Sequence, residues 1–292
     1  MRRRVGSDFG YSSTAMEVTE GVELTGRRFV LTGCSSGLGQ ETQRVLQHRG
    51  ATVVGLARSE DKAKASGADE AVACELSEPE SVRACVEVLR GGPPIDGIIA
   101  NAGIMALPEL QQRYGLELQL LTNHVGHFIL ITGLLDRLSE TARVVVVSSR
   151  AHTMAPKEGI PFDNLSGERS YQPWVAYGVS KLANVLFARE LARRLPEGQV
   201  ANALHPGVIQ THLIRHLPWW QSTVFRAAGP LFLKSIPEGA ATQTWAAAHP
   251  DTSSITGEYL QDCDVGTSSP AGQDLELAAR LWETTEGIVA EL

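Results

Sequence analysis

Tyr177 and Lys181 lie four residues apart at the start of a strongly amphipathic stretch, so a helix there puts both side chains on one face, one turn apart. A free tyrosine, with a pKa of ~10, is a reluctant general acid or base. An ammonium beside it stabilises the phenolate and makes the phenolic proton transferable. The pair reads as a proton donor for a substrate oxygen, although Y-x-x-x-K alone also describes a solvated pair on a helix. Upstream, Ser148-Ser149 ends the apolar run Val144–Val147. A buried strand there delivers a hydroxyl to its C-terminal edge, where open α/β sheets bind ligands. Such a hydroxyl hydrogen-bonds a substrate oxygen and stabilises charge developing on it. Neighbours along a strand face opposite sides, so only one of the two serines can take that role.

The element that positions this chemistry is the stretch from Phe29 to Leu46. Phe29-Val30-Leu31 reads as a buried strand, Thr32-Gly33-Cys34-Ser35-Ser36-Gly37-Leu38-Gly39 as a turn, and a helix opens near Gln40. Helix N-termini leave N–H groups without intrahelical partners, and their dipole favours an anion. Gly33 suits the tight turn, Gly37 a close approach of backbone to phosphate, and Gly39 close packing of helix on strand. The G-x-x-x-G-x-G spacing differs from the G-x-G-x-x-G dinucleotide fingerprint, so glycines serving turn geometry alone remain an alternative at this point.

From Leu24 onward, short apolar runs alternate with longer amphipathic segments, the pattern of a doubly wound α/β fold with helices on both faces of a parallel sheet. Expected strands are Arg28–Leu31, Thr52–Leu56, Glu70–Cys74, Gly97–Ala100, Arg143–Ser148, Val200–Leu204 and Gly257–Leu260, with helices starting near Gly39, Glu60, Glu78, Pro108, Val175, Pro237 and Asp274. No repeat or linker divides the chain. A single domain over 24–292 follows, with 1–23 as an N-terminal arm, frayed or draped, and 211–236 as an irregular insertion. With 292 residues, 43% apolar and 20% charged, a sizeable core is easily filled. The net charge of −7, without a basic stripe, argues against a nucleic-acid partner. No apolar run follows Arg2-Arg3-Arg4, so no signal peptide is expected. Phe128–Leu135 is too short to span a bilayer. Four cysteines without C-x-x-C spacing suit a reduced, cytoplasmic setting. His124 and His127 lack an acid or cysteine to complete a ligand set, so no metal is expected there.

Thr32–Gly39, Asn101-Ala102-Gly103, Asn123, Ser148-Ser149 and Tyr177-Gly-Val-Ser-Lys181 together resemble the short-chain dehydrogenase/reductase family over almost the whole chain. Asn123-His-Val-Gly-His-Phe128 and Ser180–Leu191 are most similar to its retinol-dehydrogenase-like branch, related to the WW-domain oxidoreductases. The resemblance implies a Rossmann-type, seven-stranded parallel sheet and NAD(P)-dependent hydride transfer at a carbonyl or alcohol carbon. It implies Tyr177 as acid/base, Lys181 as the charge beside it and a ribose ligand, and Ser149 rather than Ser148 as the hydroxyl on the substrate oxygen. Asn123 would stabilise a helix break and a water relay to the lysine. Gly33, Ser35, Ser36, Gly37, Leu38 and Gly39 would hold the cofactor phosphates. Asn101, Ala102 and Gly103 would let its ribose come close. Pro206-Gly207 would lie against the nicotinamide, with the backbone of Val208 or Ile209 and Thr211 meeting the carboxamide.

Cofactor choice turns on the end of the second strand. An acid there binds the ribose 2′-hydroxyl of NAD(H), but the sequence is Gly55-Leu56-Ala57-Arg58, with no acid before Glu60. Arg58 suits a 2′-phosphate, which favours NADP(H). Arg58 as a solvated cation would leave NAD(H) open. Glu75-Leu76 stands where the family commonly has Asp-Leu at the adenine pocket, a departure in which the longer carboxylate would have to reach the adenine amino group.

The insertion 211–236 carries Leu213, Ile214, Leu217, Trp219, Trp220, Phe225, Leu231, Phe232 and Leu233. As a substrate lid it would select a hydrophobic carbonyl or alcohol. The Trp pair could equally be core, a homo-oligomer contact or a membrane-surface contact. Two other functions compete on the same fold: a non-catalytic cofactor sensor or scaffold, and an epimerase or dehydratase. Retention of both Tyr177 and Lys181 weighs against the first, and the little room for a larger C-terminal domain against the second.

Overall fold

The computed structural model describes residues 7–209 and 233–292. Its main sheet is built from β1 (Arg28–Thr32), β2 (Thr52–Ala57), β3 (Glu70–Ala73), β4 (Ile95–Ala100), β7 (Leu138–Val147), β8 (Val200–His205), β9 (Tyr259–Gln261) and β10 (Asp264–Val265). Their spatial order is β10-β9-β8-β7-β4-β1-β2-β3. All pairings are parallel except β9 with β10. The seven parallel strands thus gain an eighth, antiparallel edge strand that was not expected. Two further strands, β5 (Gln112–Arg113) and β6 (Leu116–Glu117), form a separate hairpin.

The chain steps outward from β1 through β2 to β3, then returns to lay β4 on the other side of β1. That reversal is the topological switch point of an open sheet, and the crevice beyond the carboxyl ends of β1 and β4 is its natural ligand site. Both faces of the sheet are covered, which explains the apolar runs. Val30, Val144 and Val146 face one core with Phe128, Phe187 and Trp282. Leu31, Val145 and Val147 face the other, with Trp245. The alternation is the period of two along each strand.

The helices are α1 (Gly37–His48), α2 (Glu60–Ala65), α3 (Pro79–Arg90), α4 (Leu118–Leu120), α5 (Gly126–Thr132), α6 (Pro173–Arg194), α7 (Ile236–Ala248) and α8 (Leu275–Glu291). A π turn over Leu121–Val125 joins α4 to α5. The helix expected near Pro108 is absent. Instead Tyr114 and Gly115, at φ of 51° and 73°, turn the chain between β5 and β6, a pair of positive φ values typical of a tight hairpin turn. Helix α6 is not one-faced, as its sequence suggested: Gly178–Ala188 is buried without a break, because the sheet lies on one side and α8 on the other. No helix among the described residues is long and apolar enough to cross a membrane.

Residues 7–23 drape over the second face. Ala15 N donates to the Pro237 carbonyl at 2.9 Å, Arg49 Nη2 donates to the Met16 carbonyl at 2.9 Å, and Val18 is fully buried.

Candidate active site

Helix α6 opens with Pro173 at its first position, and Gln172 Oε1 caps it by accepting from Val175 N at 2.6 Å. Tyr177 and Lys181 therefore come one and two turns in. The short 3₁₀ helix Arg150–Met154 packs directly on α6 at Gly178. A Cβ at Gly178 would lie 2.7 Å from the Ala151 carbonyl oxygen and 2.9 Å from Ala155 N. Only glycine allows this approach, and the approach brings Ser149 against Tyr177.

The end of β7 sorts the two serines. Ser148 Oγ points inward, 2% exposed, and donates to the Lys181 carbonyl at 2.7 Å. Ser149 points the other way. Its Oγ accepts from Ala151 N at 3.1 Å, and the hydroxyl lies beside the Tyr177 phenol. Lys181 Nζ, 4% exposed, donates to the Val147 carbonyl at 2.9 Å and sits 5.8 Å from the centre of the Tyr177 ring. Burial pushes the Tyr177 phenol up to about 12, with the neighbouring Ser149 hydroxyl working against it. Burial also pulls the Lys181 ammonium down to about 8. Near pH 7 the phenol keeps its proton and the ammonium keeps its charge, so a proton donor and the charge that stabilises its anion stand together.

Asn123 sits inside the π turn, fully buried. Its Oδ1 accepts from Ile104 N at 2.8 Å, and its Nδ2 donates to the Ile104 carbonyl and to Ser180 Oγ, both at 2.9 Å. The helix break implied by the family resemblance is thus present, with the amide stitched to the loop after β4. A Cβ on Gly103 would come 3.0 Å from Asn123 Oδ1 and 3.5 Å from Lys181 Nζ.

At the switch point, Asn101 Nδ2 donates to the Thr32 carbonyl at 2.9 Å, tying the end of β4 to the end of β1. Asn101 N and Ala102 N both donate to Thr32 Oγ1. Gly33 has φ of 72°, and Gly39 packs so closely that a Cβ there would fall 2.2 Å from the Gly33 carbonyl oxygen. Gly37 differs: φ is 57°, and nothing lies within 4 Å of where its Cβ would be. Ser35 and Ser36 are exposed, Leu38 is half-buried, and no side chain caps α1. The first turn of α1 thus has no side-chain cap among the described residues. Arg58 is exposed at the end of β2 and makes no ion pair among the described residues. The Glu75 carboxylate accepts from Ser77 N and Ser77 Oγ, and Leu76 is buried against Gly126.

Beyond β8, Pro206 and Gly207 are half-buried and Val208 is exposed. Gly207, at φ of 96°, lies against the Lys234 stem. Thr211 and nearly all of the 211–236 insertion lie outside the described residues.

Three residues bear on the site without having been singled out for it. His127 Nδ1 donates to the Asn123 carbonyl at 3.0 Å, which leaves Nε2 to accept from Thr32 Oγ1 at 2.9 Å. The ring joins the π turn to the glycine turn, and its signal was the i, i+4 spacing from Asn123. Gln243 Nε2 bonds Thr42 Oγ1 and Asn101 Oδ1. A lone amide among the alanines of α7 was its only mark. Lys234, 1% exposed, pairs with Asp262 at 2.6 Å, and nothing local in the sequence links those two.

The family model for short chain dehydrogenases matches residues 27–162. The chain is 38% identical to the short-chain dehydrogenase TIC 32 B, chloroplastic, of Brassica napus, covering 98% of this chain and 96% of that protein. It is 37% identical to retinol dehydrogenase 14 of Homo sapiens, covering 92% and 88%. A crystal structure of an uncharacterized protein from Mycobacterium paratuberculosis superposes with a TM-score of 0.77 at 33% identity, covering 96% of this chain and 98% of that one. Similar over nearly its whole length to short-chain dehydrogenases, with Ser149, Tyr177 and Lys181 gathered at the carboxyl end of a parallel sheet, the chain belongs to the short-chain dehydrogenase/reductase family of oxidoreductases.

Proposed function

We propose that the protein interconverts a hydrophobic carbonyl compound and its alcohol with NADP(H), through one catalytic domain spanning 24–292. The observation that carries this reading is the buried Lys181 ammonium, held on the end of β7 by the Val147 carbonyl 5.8 Å from the Tyr177 ring centre, with the Ser149 hydroxyl beside the phenol. The residues at the switch point fit a dinucleotide. The uncapped N-terminus of α1, the empty space at Gly37 and the uncommitted Ser35 and Ser36 make a cradle for a diphosphate. Asn101, Ala102, Gly103 and the Pro206–Val208 loop would line the rest of it.

When bound, the reduced nicotinamide supplies hydride to the carbonyl carbon. The chain's own groups handle the oxygen. Tyr177 Oη gives its proton to that oxygen as negative charge develops there. Ser149 Oγ, already an acceptor from Ala151 N, uses its hydrogen to hold the same atom. The Lys181 ammonium stabilises the phenolate left behind, and Asn123 fixes the loop over the lysine.

Arg58 favours the phosphorylated cofactor. It is an exposed guanidinium at the end of β2, where the NAD-type acid is missing. An apolar substrate suits the surroundings of Tyr177, where Met154 and Trp174 are exposed. Met154 ends the 3₁₀ helix packed on Gly178, and Trp174 stacks edge-on to Tyr177 at 6.2 Å. Exposed apolar groups converging on a polar centre are the composition of a lipophilic ligand site.

The test is NADPH consumption against a panel of lipophilic ketones and aldehydes, repeated with Tyr177→Phe. The change should cost at least ~10²-fold in rate. NADPH binding with no turnover of any carbonyl, unaltered by Tyr177→Phe, would instead identify a cofactor sensor.

A further inference from the structure

Gln119 is fully buried in α4, one turn before Asn123. Its side chain reaches three separate pieces of chain. Oε1 accepts from Ala106 N at 2.6 Å. Nε2 lies 3.1 Å from Glu117 Oε1, 3.3 Å from Tyr171 Oη and 3.5 Å from the Pro173 carbonyl. Tyr171 Oη in turn donates to the Leu107 carbonyl at 2.6 Å.

These bonds converge on the strap Ile104–Leu107, which leaves β4 past Gly103 and the Lys181 ammonium. Asn123 holds the strap by both backbone groups of Ile104. Gln119 holds it at Ala106, and Tyr171 at Leu107. The strap is apolar and half-exposed. It also contains a conformation that needs holding: Ala106 has φ of 48°, in the left-handed region that L-residues other than glycine disfavour. On its other side, Gln119 reaches the carbonyl of Pro173, the residue before Trp174.

We propose that Gln119 is a positioning residue for substrate selection, fixing the apolar strap 104–107 against the start of α6 so that strap and Trp174 form two walls of one carbonyl pocket. The inference rests on the carbonyl-reductase reading. Among the described residues, the hydrogen bonds of Gln119 go neither to Ser149, Tyr177 or Lys181 nor to the glycine turn. Its loss should therefore act on the carbonyl substrate and spare the cofactor. Glycine at 106 adopts a positive φ without strain, so it should lessen the dependence of the strap on Gln119.

The experiment compares Gln119→Met, Tyr171→Phe, Ala106→Gly and the Ala106→Gly/Gln119→Met double variant. Decanal and 9,10-phenanthrenequinone serve as carbonyl probes. Gln119→Met should raise KM for these probes ~10-fold or more, a misplaced wall being felt strongly, while KM for NADPH stays close to the wild-type value. Tyr171→Phe should change them in the same direction with the fold intact, and Ala106→Gly should recover most of the Gln119→Met loss. Hydrogen exchange of the 103–107 amides should quicken in Gln119→Met and slow again in the double variant. Unchanged exchange in that segment, equal rises in KM for NADPH and carbonyl, or additive penalties in the double variant would each overturn the proposal. If the wild-type protein reduces no carbonyl probe, the functional reading falls, and the exchange result alone decides the role of Gln119.

Discussion

Lys181 Nζ donates to the carbonyl of Val147, the last residue of β7, and Asn184 Nδ2 donates to the same oxygen from one turn further along α6. The strand end that presents Ser149 thus also fixes the ammonium, so the hydroxyl and the charge cannot move independently. Lys181 forms no ion pair among the described residues, and a buried cation without a carboxylate is costly.

That cost can be measured. The folded pKa of Lys181, about 8, is below its ordinary 10.5, so the unfolded chain binds the proton more tightly. The penalty is fully present below pH 8 and disappears as pH rises from about 8 to 10.5. The shift corresponds to about 3 kcal/mol at neutral pH, offset by about 1 kcal/mol for the hydrogen bond to Val147. Lys181→Met should abolish turnover and yet raise Tm at pH 7 by ~5 °C. The gain should vanish by pH 10.5 in thermal melts across that range. A lower Tm at pH 7 would refute the account of Lys181 as a strained functional charge.

The two serines should separate by assay. Ser148→Ala removes a buried 2.7 Å bond to the Lys181 carbonyl and should cost about 1 kcal/mol in denaturant unfolding, with a small effect on rate. Ser149→Ala should cost ~10²-fold or more in kcat, with a smaller loss of stability. The reverse pattern would move the catalytic assignment to Ser148.

Gly37 and Gly39 should fail in different ways when changed to alanine. At Gly39 the new Cβ meets the Gly33 carbonyl oxygen at 2.2 Å, so Gly39→Ala should unfold or grossly destabilise the protein. At Gly37 the space is empty and only the φ of 57° resists, a cost of about 1–2 kcal/mol. Gly37→Ala should therefore stay folded and lose NADPH affinity by more than its loss of stability would explain. Fluorescence titration with NADPH checks this. Unchanged affinity would place the diphosphate elsewhere.

What was legible in the sequence was local. Gly33, Gly37 and Gly39 sit within one turn, and Tyr177 and Lys181 within one helix, so their spacing already encodes their geometry. The strands were legible because burial on both faces leaves uninterrupted apolar runs. Misreadings arose where distant contacts decided. Pro108 followed by Glu109–Arg113 looks like a helix start, but Tyr114-Gly115 turns the chain, and the backbone bonds of Glu117 and Leu118 go to Leu165 and Gln111. Ser180, Lys181, Asn184 and Glu190 look like the polar face of α6, yet all four are buried with partners at Tyr177, Val147 and two nearby arginines. Lys234 meets Asp262 and the Tyr11 ring only through the fold.

Arg58 offers a test of cofactor choice. As a 2′-phosphate ligand it interacts with NADPH and has no matching group on NADH. Arg58→Ala should raise KM for NADPH ~10-fold or more, in line with loss of a charge-assisted contact, and leave KM for NADH nearly unchanged. Equal changes would remove Arg58 from the phosphate site. No hydrogen bond or ion pair among the described residues engages the guanidinium, so the stability of the variant should match that of the wild type within about 0.5 kcal/mol.

Acid should undo the fold through its buried imidazoles. Burial pulls His124 down to about 3, and His127 and His205 down to about 4, from an ordinary 6.5. Each is neutral when folded and takes up a proton on unfolding, so stability falls as pH drops below 6.5 toward 4. Each contributes a slope of up to ~1.4 kcal/mol per pH unit in that window. His127→Gln keeps an acceptor for Thr32 but loses the bond to the Asn123 carbonyl, so it should be about 1 kcal/mol less stable at pH 7. It also lacks the titrating ring. Its stability should therefore fall less steeply than that of the wild type, and the two curves should converge near pH 5.5–6 in urea unfolding. Parallel curves across that range would show that His127 takes up its proton as readily in the folded protein as in the unfolded chain, and the hydrogen-bonded path from Asn123 to Thr32, which needs a neutral ring, would lose its central link.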